Sequence, residues 1–241
     1  MGEGLAKNLS LREVAPHQGL AETDGTSYHV LSLVKAKQGK PEEALSNAVL
    51  AVQHDPALAD AQLHLGSLQT EAGQFAEAEA SFKRLVELAP DGASGHRGLA
   101  VVYEKQDRLP EAERTLREGL TRQAADPGLL SQLGKVRIKQ KDFREAEQLL
   151  VRAMRTGAPD SGLLNSLGWA QLQLNKTYDA EQNLRQSLAV EPGNVLAQNN
   201  IGVLFAKTNR PLDARQAFSR ALSLDPSNEN ARRNLEALGK K

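Results

Sequence analysis

The amino-acid sequence predicts an all-α chain, a solenoid of six helix pairs closed by one capping helix. Three observations lead there. The same residue types return every 34 residues along most of the 241-residue chain. Within each period, apolar and small residues recur at helical spacing in two separate stretches, as expected for a repeat of two amphipathic helices. The apolar content, 40%, is carried by Ala and Leu with only 4% aromatic residues. That composition suits close helix packing better than sheet, where aromatic and β-branched residues lead.

The periods run 25–58, 59–92, 93–126, 127–160, 161–194 and 195–228, with no insertion. The seventh residue of each is Leu31, Leu65, Leu99, Leu133, Leu167 and Ile201. The eighth is small: Ser32, Gly66, Ala100, Gly134, Gly168 and Gly202. The twentieth is always alanine: Ala44, Ala78, Ala112, Ala146, Ala180 and Ala214.

The elements follow in order. Positions 4, 7, 8 and 11 share one face of a first helix. A turn comes next at Gly39, Gly73, Asp107, Asn175 and Asn209. Pro41, Pro110 and Pro211 open second helices, where a missing N–H is harmless. Positions 20, 24 and 27 form the buried face of those helices. Pro56, Pro90, Pro192 and Pro226 close them, because the residue before proline is driven out of the helical region. Small residues at positions 8 and 20 let the two helices approach, and stacked neighbours must cover the stripe that one pair leaves open. Gly95 and Gly98 are expected to weaken their helix, by about 1 kcal/mol each relative to Ala. Residues 229–241, ENARRNLEALGKK, read as a capping helix with a polar outer side and a tail. Residues 1–24 do not fit the period, with Pro16 where a second helix would run. They read as a tail or irregular cap.

Thirty basic and thirty acidic residues balance, which argues against nucleic acid as a partner. The chain has no cysteine, so disulfides, thiol catalysis and cysteine zinc sites are excluded. No apolar run reaches the length of a bilayer span. The N-terminal stretch has no apolar signal core, and no cysteine is present to take a lipid anchor. A fragment cut free of such a segment reads the same, so cytoplasm and periplasm both remain open.

With this pattern the chain resembles the tetratricopeptide repeat (TPR) family, over Gly25 to about Leu238. The resemblance implies a right-handed superhelical solenoid of six TPR helix pairs plus a C-terminal capping helix. It also implies a concave groove, lined by first helices, that binds peptides or partner proteins. There are departures from the family pattern. The aromatic expected at position 4 appears only as Tyr28, and that at position 11 only as Tyr103 and Phe205. Ala124 and Ala158 stand where the third and fourth units would close with proline.

No catalytic set, cofactor or metal is expected. Asp60 and His64 lie four apart and share a helix face, but no second such pair supplies the further ligands a metal needs. The glycines of DGASGHRG lack the strand and spacing of a phosphate loop. Carboxylates read as solvated charges on outer faces.

Positions 2, 5, 9, 12 and 13 face away from the hairpin partner, on the side the resemblance makes concave. They carry seven basic residues, Lys37, Arg97, Lys105, Lys135, Lys139, Lys207 and Arg233, against three acids, Asp60, Glu71 and Glu104. The outer face is then expected to be acidic. The basic residues either attract an acidic ligand or merely keep the inner helices hydrated. The C-terminal half of the groove collects Asn165, Trp169, Leu172, Leu196, Asn199 and Val203, with Asn200 and Asn234 beside it. In the family an asparagine at the position of the last two often bonds a ligand's extended backbone. Trp169 is either a binding anchor or packing between first helices. The candidate partner-binding set is Arg97, Lys135, Lys139, Asn165, Trp169, Leu172, Asn199, Asn200, Val203, Arg233 and Asn234.

These residues predict a non-catalytic scaffold or adaptor holding a protein or peptide, with an acidic or C-terminal segment as one candidate ligand. Self-association through the groove is also open. No consecutive units supply the lysine and asparagine clamp of chaperone-binding members. A narrower reading is an assembly factor of type IV or Flp pili or of secretion, to which the run from Leu163 to Pro226 is similar. A third is the substrate-recognition region of a larger enzyme, against which the cap near Lys241 argues. RNA binding in the manner of pentatricopeptide proteins is disfavoured by the shorter period and balanced charge.

Overall fold

The computed structural model of the chain describes residues 24–239. The expected N-terminal tail, apart from Asp24, and the last two lysines lie outside the described residues. First helices are α1 (Gly25–Lys37), α3 (Ala59–Glu71), α5 (Ala93–Lys105), α7 (Pro127–Lys139), α9 (Ser161–Gln173) and α11 (Val195–Lys207). Second helices are α2 (Pro41–His54), α4 (Phe75–Leu88), α6 (Leu109–Arg122), α8 (Phe143–Thr156), α10 (Thr177–Val190) and α12 (Pro211–Leu224), and α13 (Glu229–Leu238) follows. The fold is all-α, six sequential helix pairs plus one helix, a TPR-like helical repeat.

Local chemistry sets the boundaries. Asp24, Asp126, Asp160, Asn194 and Asn228 cap first helices and α13, each side chain accepting from the third helical N–H. The turn residue has positive φ in all six pairs: Gly39, Gly73, Asp107, Lys141, Asn175 and Asn209. The next N–H bonds back to the carbonyl five residues earlier, as in Arg108 to Tyr103 at 2.8 Å and Arg210 to Phe205 at 2.8 Å. Lys141 was absent from the expected turn residues. A lysine pays about 1 to 2 kcal/mol in that conformation, and the bonds on either side hold it there. Before the closing prolines, Asp55, Ala89, Glu191 and Asp225 are all non-helical.

The described chain divides into two compact units, one ending at Leu65 and the other beginning at Gly66. In the first, α1 packs on α2. Ala44, Ala48 and Ala51 are fully buried, and the Ser32 hydroxyl donates to the Ala44 carbonyl at 2.7 Å. Leu31 is only half-buried, because the facing column offers alanine rather than a large side chain.

In the second unit, each first helix from α5 to α11 packs on its own second helix and on the next first helix. The alanine column is fully buried from Ala78 to Ala214. Helices close where a small eighth residue meets a large twenty-fourth. A Cβ added to Gly202 would lie 2.5 Å from the Phe218 ring. Phe82 is held from two sides: a Cβ on Gly66 would come within 2.9 Å of its ring, and one on Gly98 within 2.3 Å. Gly98 is therefore a contact residue, and its propensity cost is offset by the packing of Phe82.

Charges bind successive pairs, and this corrects the expectation of solvated carboxylates. The twenty-first position carries Glu79, Glu113, Glu147 and Glu181, all about four-fifths buried, and each reaches a cation of the next pair. Glu79 meets Arg108 at 3.1 Å, Glu147 meets Lys176 at 2.7 Å and Glu181 meets Arg210 at 3.0 Å. In the fourth pair the cation site holds Asp142 instead, and Arg137, at the aromatic position 11, reaches Glu113. Position 11 serves this relay elsewhere too. The Tyr103 hydroxyl donates to Glu79 at 3.0 Å, and Phe205 carries the Arg210 guanidinium 4.1 Å from its ring centroid.

The relay holds three carboxyls below their ordinary range. For Glu79 the hydrogen bond from Lys83 leads. Around Glu113 and Glu181, partial burial pulls upward and is outweighed by Arg117, Gln140 and Arg137 at the former and by Arg185 and Arg210 at the latter.

Two predictions follow from this packing. Gly98→Ala should destabilise by about 1 to 3 kcal/mol in chemical denaturation despite alanine's better helix propensity. Gly193→Ala, with nothing within 4 Å of the added carbon, should not. A stabilised Gly98→Ala variant would refute the contact role. The second concerns pH. A carboxyl depressed below its unfolded value binds fewer protons in the fold, so its stabilisation is present above about pH 4.5 and lost as pH falls further. Combining Glu79→Gln, Glu113→Gln and Glu181→Gln should lower stability at pH 7 and flatten the acid limb of a melting-temperature profile. An unchanged limb would show that the relay carboxyls contribute nothing to acid sensitivity.

Candidate functional site

The first helices α7, α9 and α11 lie side by side and leave a cavity of about 430 Å3 on their shared face. Trp169, Ile138 and Leu196 supply its apolar surface, and Lys135, Asn165 and Asn200 converge on it. The structure thus brings together Lys135, Lys139, Asn165, Trp169 and Asn200 of the expected set.

An amide rung organises the floor. Asn200 Nδ2 donates to Asn165 Oδ1 at 2.9 Å, and Asn234 Nδ2 donates to Asn199 Oδ1 at 2.9 Å. In each case the sixth residue of one first helix bonds the fifth of the helix before it. An amide has two N–H donors and a carbonyl acceptor, so this rung leaves one Asn200 N–H and its oxygen to bond a ligand.

Charge is distributed more narrowly than the sequence implied. Lys139 is neutralised by Glu104 at 2.8 Å, a carboxylate only 8% exposed that also accepts from Gln132. Arg97 lies against Gly128, outside the cavity, and Lys207 donates to the Leu172 carbonyl at 3.2 Å. Lys135 crosses beside Gly162 and pairs with no carboxylate among the described residues. A uniformly acidic outer face is not found: second helices from α4 to α12 mix both signs, and residues 210–225 carry Arg210, Arg215 and Arg220 against Asp213 and Asp225.

One expectation needs correction. Leu172 is fully buried in the core with Leu184, Leu204 and Phe218, so it presents nothing to a ligand. Position 12 turns inward in α9, whereas in α7 the same position puts Ile138 in the cavity wall. Val203 packs partly buried on that core. Trp169 packs partly buried on that core and also lines the cavity. Arg233 is exposed on α13, with Asn199 and Asn234 on a separate rung. Ile138, Asn194 and Ser166 were missed. Asn194 caps α11, and Ile138 stood in a column already assigned to this face.

The family model described as Tetratricopeptide repeat matches residues 30–93, 65–128 and 165–229. No curated protein matches. Among solved structures, a chain of the APC/C hetero-tetramer Cut9–Hcn1 aligns with a TM-score of 0.81 at 17% identity, covering 89% of this chain and 42% of that one. This chain therefore spans less than half the length of that relative. PilW, described as a widely conserved type IV pilus biogenesis factor, aligns with a TM-score of 0.74 at 14% identity over 88% of this chain and 98% of its own. YrrB, a TPR protein with an unusual peptide-binding site, gives 0.57 at 20% identity over 78% and 97%. At these identities the likeness is one of fold.

The rung yields a prediction. Asn165→Ala removes the acceptor of the Asn200 amide and should cost about 1 kcal/mol in a thermal melt. Arg233→Ala, exposed and bonded only within its own helix, should stay within about 0.5 kcal/mol of the parent. Equal effects would mean that the rung adds no stability.

Proposed function

The chain belongs to the tetratricopeptide repeat family, and from that premise we propose that it is a non-catalytic adaptor that holds an extended segment of a partner protein on the face of α7, α9 and α11. The cavity walled by Trp169, Ile138 and Leu196 carries this reading. Leu196 is 61% exposed, an apolar side chain with nothing of its own to cover. A bulky ligand side chain on Leu196 and Trp169 would remove apolar surface from water, at about 25 cal/mol per Å2. The uncommitted Asn200 amide suits the ligand's backbone, and Lys135 suits an acidic group beside the apolar one. Arg97 and Lys105 extend the basic side toward α5, so the acidic end of the ligand points to α5 and its apolar end to α11. Helix α13 packs against the last pair, α11 and α12.

A narrower reading, an assembly factor of type IV or Flp pili, draws support from the alignment with nearly the whole of PilW. Co-purification with pilus components from the native cell is its test.

The general reading is tested with partners captured from native extract on the parent chain and on two variants. Leu196→Asp should leave the melting temperature nearly unchanged, since an exposed site shifts stability by about 0.5 kcal/mol or less, yet release the partner. Lys135→Glu should slow association and flatten its salt dependence, a modest effect of about 1 kcal/mol or less. A partner retained equally by all three chains binds elsewhere.

A further inference from the structure

The second-helix side of the same unit carries a different feature. Helices α10 and α12 flank α11 and leave a bowl of about 670 Å3. Positions 23, 25 and 29 hold Leu149, Val151 and Arg155 in α8 but Ala217, Ser219 and Ser223 in α12. Ala217, Ser219 and Ser223 line the bowl. Leu188, Ile201 and Phe205 line its floor.

The charges around the bowl cancel with one remainder. Arg185 meets Glu181 at 2.6 Å, and Arg210 meets Glu181 at 3.0 Å and Asp213 at 2.8 Å. Those two cations and two carboxylates neutralise each other. The same two guanidinium groups sit 5.7 and 4.1 Å from the Phe205 ring centroid, so they are fixed in place. Arg220, on the rim, is exposed and meets no carboxylate among the described residues. Gln198 and Gln216 add amides able to donate and accept.

We propose that this outer bowl is a second protein-docking site, taking a partner segment in which a bulky apolar side chain stands beside a carboxylate. The side chain occupies the space over Leu188, beside the Arg185 and Arg210 guanidinium groups that cover Phe205, and the carboxylate pairs with the Arg220 guanidinium, whose planar fork suits a bidentate contact. A polyanion needs a row of cations; a single unpaired arginine over an apolar floor fits one acidic residue and its apolar neighbour. The site is separate from the face of α7, α9 and α11, so the chain can hold two partners at once and act as a bridge.

The probe is the peptide Gly-Ser-Glu-Phe-Glu-Ser-Gly, titrated into the isotope-labelled full chain with amide chemical shifts as the readout. Saturable shifts in α10 and α12 and around Phe205 are expected, with a dissociation constant below about 1 mM for so small a ligand. The same peptide with lysine for both glutamates should bind at least about fivefold more weakly. Arg220→Glu, an exposed substitution whose fold is checked by circular dichroism, should weaken the glutamate peptide by a similar factor, and Arg220→Gln by less. No saturable shift at about 5 mM, equal binding of the two peptides, or unchanged affinity in Arg220→Glu would each overturn the proposal. Shifts confined to Trp169, Leu196 and Asn200 would also overturn it, while placing the peptide on the first-helix face.

Discussion

Everything in the second unit depends on one contact repeated along the chain, the large twenty-fourth residue of a second helix seated on the small eighth residue of its first helix. Phe218 sits on Gly202, Leu184 on Gly168 and Leu150 on Gly134. Ala100 and Leu116 hold the same columns and are both fully buried. Interiors pack densely, so the size of these two residues sets how closely the helices approach. In the first unit, the matching columns hold Ser32 and Ala48, and the serine spends its hydroxyl on the Ala44 carbonyl. A polar atom is tolerated there because the opposite residue is small and a hydrogen bond satisfies it.

A pair closed in this way still has to be joined to the next, and here the chemistry changes from apolar to ionic. The glutamate column reaches forward to arginine, lysine or tyrosine of the following pair. The partner's identity varies more than its role: Arg137 takes over where Asp142 has displaced the cation. Such exchange is possible because a carboxylate accepts from any well-placed donor. The relay also consumes charge. Arg117 and Arg185 on the second helices are held by relay glutamates, and Lys139 on the other side is taken by Glu104.

The proposed recognition rests on a small number of groups. On the first-helix face they are Lys135, the free half of the Asn200 amide and the exposed parts of Trp169 and Leu196, with Arg97 and Lys105 on α5 beyond the cavity. Around the second-helix bowl the uncommitted cation is Arg220, on the rim of a space lined by the small residues of α12. The scaffold comes from the regular columns of the repeat, and both proposed surfaces from positions that vary between units.

The sequence by itself determined the repeat, the helix pairs, the buried alanine column and the face on which Asn165, Trp169 and Asn200 would lie. These depend on spacing along one helix, which periodicity reports directly. Only the tertiary structure decided what depends on neighbours 24 to 35 positions away. It made Leu172 core while Ile138, in the same column, became wall. It turned Gly98 from a weak helix residue into the seat of Phe82, and converted scattered carboxylates into a relay. It also decided which lysines and arginines remain free. The physical reason is that a helical wheel fixes the direction in which a side chain leaves its own axis, whereas burial and pairing are set by the size and charge of whatever the adjacent helix brings to meet it.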